Sequence, residues 1–308
     1  MSVEDRCCAV PERLFSNKCR AIELLEINDP PDAFPDYSEL AGLKMAKNRK
    51  RLKEAGIVFQ NQAVELLASE DKLLDLLANW EKSSLSPTII LDITSLPKRY
   101  FCFIIKRLLL SPCFPNVIAT YTQTGPNGYT PQHLAEDPMT CDHLPGYSAP
   151  LPPKGSTLVV SVGFESLSIS SLLGVYRDMK KDTKVILSFP SNRESIRREW
   201  NTVRQMALGD ARNIKRENIE VIPAWDAEQV YHTLKRWQED SDGLTLAPFG
   251  PKPHSLGMAL FAIKYDAGLY YTQPRSYNPD YSKGQAESSA YVVKWGGIAC
   301  FDRQMKLP

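Results

Sequence analysis

The sequence predicts an α/β protein: a mainly parallel, Rossmann-like sheet or pair of sheets with helices on both faces. Three observations predict it. Short apolar runs alternate with segments of helical periodicity along most of the 308 residues. Several runs are continuously apolar, as strands covered on both faces are. Turn formers and helix-start residues stand at the junctions, where a strand must hand over to a crossover helix.

Taken in order, Ala21–Ile27 reads as the first strand, and a Pro-rich acidic turn follows it. Ser38 offers an N-cap, and Leu40, Leu43, Ala46 and Leu52 line a helix that Gly56 stops. Ile57–Leu67 is the second apolar run. Ser69, Glu70 and Asp71 then open a helix through Leu73, Leu76, Leu77 and Trp80, the acids suiting its positive N-terminus. Thr88–Ile93 reads as a strand buried on both faces, with Pro97 placed to begin the next helix. Strands are expected at Asn116–Thr122, Thr157–Val162, Lys184–Phe189, Ile219–Ile222, Leu244–Ala247 and Gly268–Thr272. Helices are expected near 166–180, 193–208, 226–238 and 254–266. Ala290–Phe301, around Gly296-Gly297, reads as an antiparallel ribbon or edge strand.

Residues 124–155 break this rhythm, as do 273–289. The first stretch is long enough to serve as a linker between halves and as a lid over a site. The expected division is therefore into halves at 1–150 and 151–308, with the second echoing the first. About nine strand candidates of uneven length suit an open doubly wound sheet better than an eight-stranded barrel.

Composition narrows the function classes. With 43% hydrophobic and 24% charged residues the chain can bury a core, and a net charge of +1 argues against a wholly basic nucleic-acid grip. Net charge hides distribution, however, and a local basic face stays open. No apolar run of about 18 residues is present, so no membrane-spanning helix is expected. The N-terminus carries Glu4, Asp5 and Arg6 and lacks the pattern of a secretory signal. Seven cysteines, an odd number in apolar contexts, suit reduced thiols in a cytoplasm.

The most informative motif is an internal echo. Asp92-Ile93-Thr94-Ser95-Leu96-Pro97-Lys98 precedes a helix and a strand ending Tyr121-Thr122-Gln123. Pro248-Phe249-Gly250-Pro251-Lys252 precedes a helix and a strand ending Tyr271-Thr272-Gln273. Each unit sets a lysine at a helix start, where unsatisfied N–H groups attract an anion. Each ends in an aromatic ring, a hydroxyl and an amide, groups that stack on a base and read its edge. The plainer reading makes the lysines solvated residues and the Thr-Gln pairs turn caps.

Other strand ends add Gly163, which could let a ligand approach the backbone, and Glu165, a ribose-diol ligand or simply a first-turn acid. Arg193 is a phosphate contact or a solvated residue, and Arg197, Arg198 and Arg204 share its helix as a solvated face or a partner surface. His254, beside Lys252, is the histidine placed for acid–base work or ligand contact. Cys141-Asp142-His143 with His133 lacks the paired spacing of a zinc site. No phosphate-binding P-loop, dinucleotide fingerprint or nucleophile elbow occurs, so no cofactor is expected.

The Asp92-x-Thr94-Ser95 strand end with Lys98 resembles CARF domains, Rossmann-like sensors of cyclic oligonucleotides in prokaryotic immunity. The doubled unit is similar to SAVED-type sensors, in which two such folds are fused. The resemblance implies ligand contacts at Thr94, Ser95 and Lys98 and a role as sensor or partner subunit in antiviral defence. Leu96-Pro97 stands where the family has glycines, and the second unit has no Asp-x-Thr. Three function classes stay open: a binder of a nucleotide or other phosphorylated small molecule, an enzyme using Asp92, Glu165 or His254 as acid–base group, and a scaffold whose arginine helix binds a protein.

Overall fold

The computed structural model describes residues 2–15, 22–30, 35–83, 86–125, 128–129, 135–149, 155–163, 169, 180–189, 193–208 and 214–301. A 3-10 turn (Asp5–Cys8) leads into α1 (Ala9–Phe15), β1 (Glu23–Asn28), α2 (Pro35–Glu54), β2 (Gln60–Glu65), α3 (Glu70–Ser83) and β3 (Thr88–Asp92). Then come α4 (Lys98–Leu110), β4 (Asn116–Thr122), β5 (Ala135–Pro138), β6 (Asp142–His143), β7 (Ser156–Ser161) and β8 (Lys180–Phe189). The chain continues with α5 (Arg193–Leu208), β9 (Ile219–Pro223), α6 (Ala227–Glu239), β10 (Leu244–Pro248) and α7 (Lys252–Tyr265). It closes with β11 (Tyr270–Tyr271), β12 (Pro274–Tyr277), β13 (Ser288–Trp295) and β14 (Ile298–Ala299). This is a Rossmann-like α/β fold of parallel strands and covering helices. Among the described residues no helix is long and apolar enough to cross a membrane.

Two compact units are interleaved in sequence rather than divided at one point. The first takes Met1–Phe101, Ser111–Asp137 and Pro274–Ile298; the second takes Cys102–Leu110, Pro138–Gln273 and Ala299–Pro308. The 124–155 stretch, expected to be loop, contains β5 and β6, which pair with β12 and β11.

In the first unit β1 and β2 pair in parallel, Glu23 opposite Gln60 through Asn28 opposite Glu65. A second sheet has the order β14-β13-β4-β3, with β3 and β4 parallel and β13 antiparallel to β4. Gly296 and Gly297, at φ +57° and +80°, form the two-residue turn between β13 and β14, a conformation that glycine adopts without strain. One expectation changes here. The Thr88–Ile93 run is not covered on both faces: β3 is an edge strand, and Ile90 is exposed.

In the second unit four strands run in parallel in the order β10-β7-β8-β9. Every residue of β7 and β10 is buried, including the hydroxyl-bearing Ser156, Thr157, Ser161 and Thr245. Alternation then assigns the faces. Leu158, Val160, Val185 and Leu187 pack with Val203 and Met206 of α5, while Ser161 points to His254 of α7 on the other face. Helix α6 approaches α7 so closely that a Cβ on Gly257 would meet the Ala227 carbonyl at 2.4 Å. The helix expected at 166–180 lies outside the described residues apart from Ile169 and Lys180, the latter being the first residue of β8.

A single sheet edge shared by Asp92, Tyr121, Gly163 and Ser188 is not what forms. Asp92 and Tyr121 lie at the C-terminal ends of β3 and β4 in one sheet, and Gly163 and Ser188 at those of β7 and β8 in another. Local patterning placed each residue at the C-terminal end of its strand, but only long-range pairing decides how many sheets the strands build.

Candidate functional site

The echo is a shared local geometry. In both copies proline precedes the helix and lysine is its first residue. The carbonyls of Pro97 and Pro251 accept the first helical hydrogen bonds, from Phe101 and Ser255. Six residues before each lysine, Asp92 and Leu246 pair in parallel with Thr120 and Leu269, one and two residues before the tyrosine.

The strand order of the second unit reverses beside β7. From β7 the chain steps through β8 to β9 in one direction, then returns by α6 to place β10 on the other side of β7. Ligands of open α/β sheets bind outside the strand C-termini at such a reversal. Gly163 follows β7 there, and Gly250, Pro251 and half-buried Lys252 follow β10. Pro251 caps α7 with no side-chain hydrogen bond, and because Pro253 has no N–H, Lys252 and His254 carry the first-turn N–H groups at that edge.

The loops that follow β7 and β10 pack tightly against each other. A Cβ on Gly163 would lie 2.1 Å from the Phe249 carbonyl oxygen, and one on Gly250 would lie 2.0 Å from Ser161 Oγ. The close approach that Gly163 permits is thus made by the neighbouring loop. His254 is fully buried below it. Its Nε2 is 2.9 Å from the Pro223 carbonyl, which only accepts, so Nε2 carries the proton and Nδ1 accepts from the Ser161 hydroxyl at 3.2 Å. Both ring nitrogens are engaged, which suits a neutral histidine that braces the crevice. Tyr271 turns its ring to Phe249 at 5.5 Å, and buried Gln273 accepts from Met139 N–H through its backbone carbonyl.

The corresponding edge of the first unit is filled by the chain itself. Arg6 donates from Nη1 to the Tyr121 hydroxyl (3.2 Å) and the Thr122 carbonyl (3.1 Å), and from Nη2 to the Tyr281 hydroxyl (3.3 Å). Its Nε pairs with Glu4 at 2.5 Å, and Glu4 also accepts from the Ser282 hydroxyl. Burial alone would lower the Arg6 pKa, but Glu4 and the surrounding tyrosines hold the guanidinium well above its usual range. Burial likewise raises Tyr121 and Tyr281.

Asp92 accepts from the Thr94 backbone N–H and hydroxyl, and Thr94 Oγ accepts from Thr122 N–H at 2.8 Å. The Asp-x-Thr string therefore stitches β3 to β4, with Thr94 fully buried. Lys98 is buried, Ser95 half-buried, and Gln123 is tied through its backbone to Ala286 and Glu287.

No protein-family model matches the chain, and no curated protein matches it. Among solved structures it is similar to the cytoplasmic domain of a prokaryotic cation chloride cotransporter, at 10% identity and a TM-score of 0.25, over 90% of this chain and 95% of that one. It is similar to a ketoreductase domain from the bacillaene assembly line at 8% identity and a TM-score of 0.19, over 81% of this chain and 65% of that one. Neither likeness carries a functional argument.

The thirteen candidate residues thus separate. Asp92, Thr94, Ser95, Lys98, Tyr121 and Gln123 belong to the first unit; Gly163, Lys252, His254, Tyr271 and Gln273 belong to the second. Glu165 lies outside the described residues, as does the side chain of Arg193, which begins α5. Sequence reasoning missed Arg6, Glu4, Ser161 and Glu199. Glu199 of α5 is buried and accepts from both the backbone N–H and the hydroxyl of Ser188. Its signal was legible: an acid at a helix position between buried Thr202, Val203 and the strand. Arg6 had none, because its partners other than Glu4 are more than a hundred residues away. Among the described residues no three His, Cys, Asp or Glu side chains gather as a metal site would gather them.

Proposed function

We propose that the protein binds a nucleotide, or another phosphorylated small molecule, at the crevice between the C-terminal ends of β7 and β10. The observation that carries this reading is the reversal of strand order at that point, with Lys252 as the first residue of the helix that leaves it. A phosphate there meets first-turn N–H groups and a cationic side chain together. Binding is favoured over catalysis because His254 is enclosed with both nitrogens engaged, and Asp92 is held by its own turn. The resemblance to CARF-type sensors points to cyclic oligonucleotides as the ligand class, and would give Lys98 the same task in the first unit.

Calorimetric titration with ATP, cyclic dinucleotides, cyclic oligoadenylates and inorganic phosphate tests this. Lys252→Ala is expected to weaken binding roughly ten- to hundredfold, the range for hydrogen bonds to charged groups. Its melting temperature should hold, since a cation at a helix N-terminus opposes the dipole. A loss confined to Lys98→Ala would move the ligand to the first unit. Wild-type affinity in both variants, or no binding of any of these ligands, removes the reading.

A further inference from the structure

We propose that the outer face of α5, with the adjoining ends of β8 and β9, binds single-stranded nucleic acid. This surface is separate from the crevice at Lys252. Large apolar side chains are exposed here where a folded unit would ordinarily cover them: Phe189 is 56% exposed, Trp200 50%, and Ile196 and Trp225 39% each. All four lie toward one edge. Phe189 ends β8, and its carbonyl accepts from Ala224 N–H, one residue before Trp225 and just past the end of β9. Ile196 and Trp200 occupy the first two turns of α5, which Glu199 ties to the end of β8 through Ser188.

Helical geometry decides what surrounds them. Glu199, Thr202, Val203 and Met206 are the buried side of α5. At 100° per residue Arg197 and Arg204 lie on the opposite side with Trp200 beside them, while Ile196, seven residues before Val203, lies at the margin of the buried side. Residues 193–216 hold seven Lys and Arg against three Asp and Glu, and burial pushes one of those acids, Glu199, up to about 7. The chain's net charge of +1 therefore conceals a basic segment of the sequence, and on the described face of α5 the cations Arg197, Arg198 and Arg204 suit a polyanion.

Two polyanionic partners differ in what they need. An acidic protein helix docks through a continuous apolar stripe with anchors at i, i+3 or i+4 and i+7. Here the position seven residues after Ile196 is Val203, which is buried, and the next position on the Ile196–Trp200 row is Arg204, so among the described residues of α5 the exposed apolar row is Ile196 and Trp200 alone. A single strand needs separate aromatic faces on which bases stack, with cations between them for the phosphates, and this is what the surface presents. A duplex, whose bases are already stacked, cannot use the indole faces.

The test is anisotropy of a labelled oligothymidylate titrated with the full-length protein at low and moderate salt, with Trp quenching read in parallel. The expected results are saturable binding of the single strand that weakens steeply with salt, quenched tryptophan emission, and poorer binding of a duplex of equal length. Trp200→Ala should weaken binding roughly 5- to 100-fold, the range for loss of one stacked base, and Trp200→Phe should restore most of it. Arg204→Ala should lower the salt dependence. Circular dichroism confirms that these exposed substitutions leave the fold in place. No binding, equal binding by wild type and Trp200→Ala, or Trp200-dependent capture of an acidic peptide in place of the oligonucleotide would overturn the proposal. Because Lys252 takes no part, loss of nucleotide binding and loss of single-strand binding are told apart by which variant abolishes which.

Discussion

Glu199 illustrates how one residue couples burial to pH. Enclosure between α5 and β8 raises its carboxyl from an ordinary 4.5 to about 7, although hydrogen bonds from Ser188 pull the other way. The folded state therefore holds the proton more tightly than the unfolded chain does. Its stabilising contribution is complete below about 4.5 and is lost as pH rises through about 7, where the buried carboxylate costs on the order of 3 kcal/mol. Glu199→Gln keeps the shape and an acceptor for Ser188 but removes the titration. Thermal melts should show the variant more stable than wild type at pH 8 and close to it at pH 5. Identical melts at pH 8 would contradict this account. Arg6 is the opposite case: a buried charge that stays charged because Glu4 and three further oxygen acceptors surround it.

Two glycines separate the demands of different elements. Gly163 follows β7 with the Phe249 carbonyl pressed against it, so a methyl group there meets backbone that cannot rotate away. Gly163→Ala is expected to destabilise by about 2–3 kcal/mol, as overpacking of a tight contact does. Gly42, inside α2, has nothing within 4 Å of its ideal Cβ. Gly42→Ala should stabilise by about 0.5–1 kcal/mol, because alanine loses less backbone freedom on forming helix. Urea denaturation of both variants checks the pair, and equal effects would mean that the packing at β7 is looser than the structure shows.

Across the whole molecule, the interleaving of the units has a consequence for truncation. Residues 274–298 supply β13, whose register with β4 runs from Ser288 opposite Thr122 to Lys294 opposite Val117. A chain ending at Gln273 leaves the edge of β4 unpaired and removes Tyr281 and Ser282 from around Arg6 and Glu4. Exposed strand edges and an uncompensated buried ion pair both oppose folding. Limited proteolysis of that truncated chain should cut β3 and β4 readily while β7, β8 and β10 stay protected. Protection of β4 equal to that in the full chain would refute the dependence.

The sequence by itself determined the α/β class, the position of most strands and helices, the turn at Gly296-Gly297 and the matched helix starts at Lys98 and Lys252. These are properties of local periodicity, capping and turn chemistry, which act over a few residues. A run such as Leu158–Val160 also announces its burial, because consecutive apolar residues point to both faces of a strand. The same kind of run misled at β3, where Ile90 is exposed, since an apolar string does not say whether another element will cover its second face. Tertiary structure alone decided the strand order, and with it the reversal beside β7 that makes Lys252 a candidate and the occupation of the β4 edge by Arg6. It also set Ser161 against His254, residues that no spacing connects. Strand order and side-chain partnership depend on contacts between distant segments, and a one-dimensional pattern records which face of an element is buried but not what covers it.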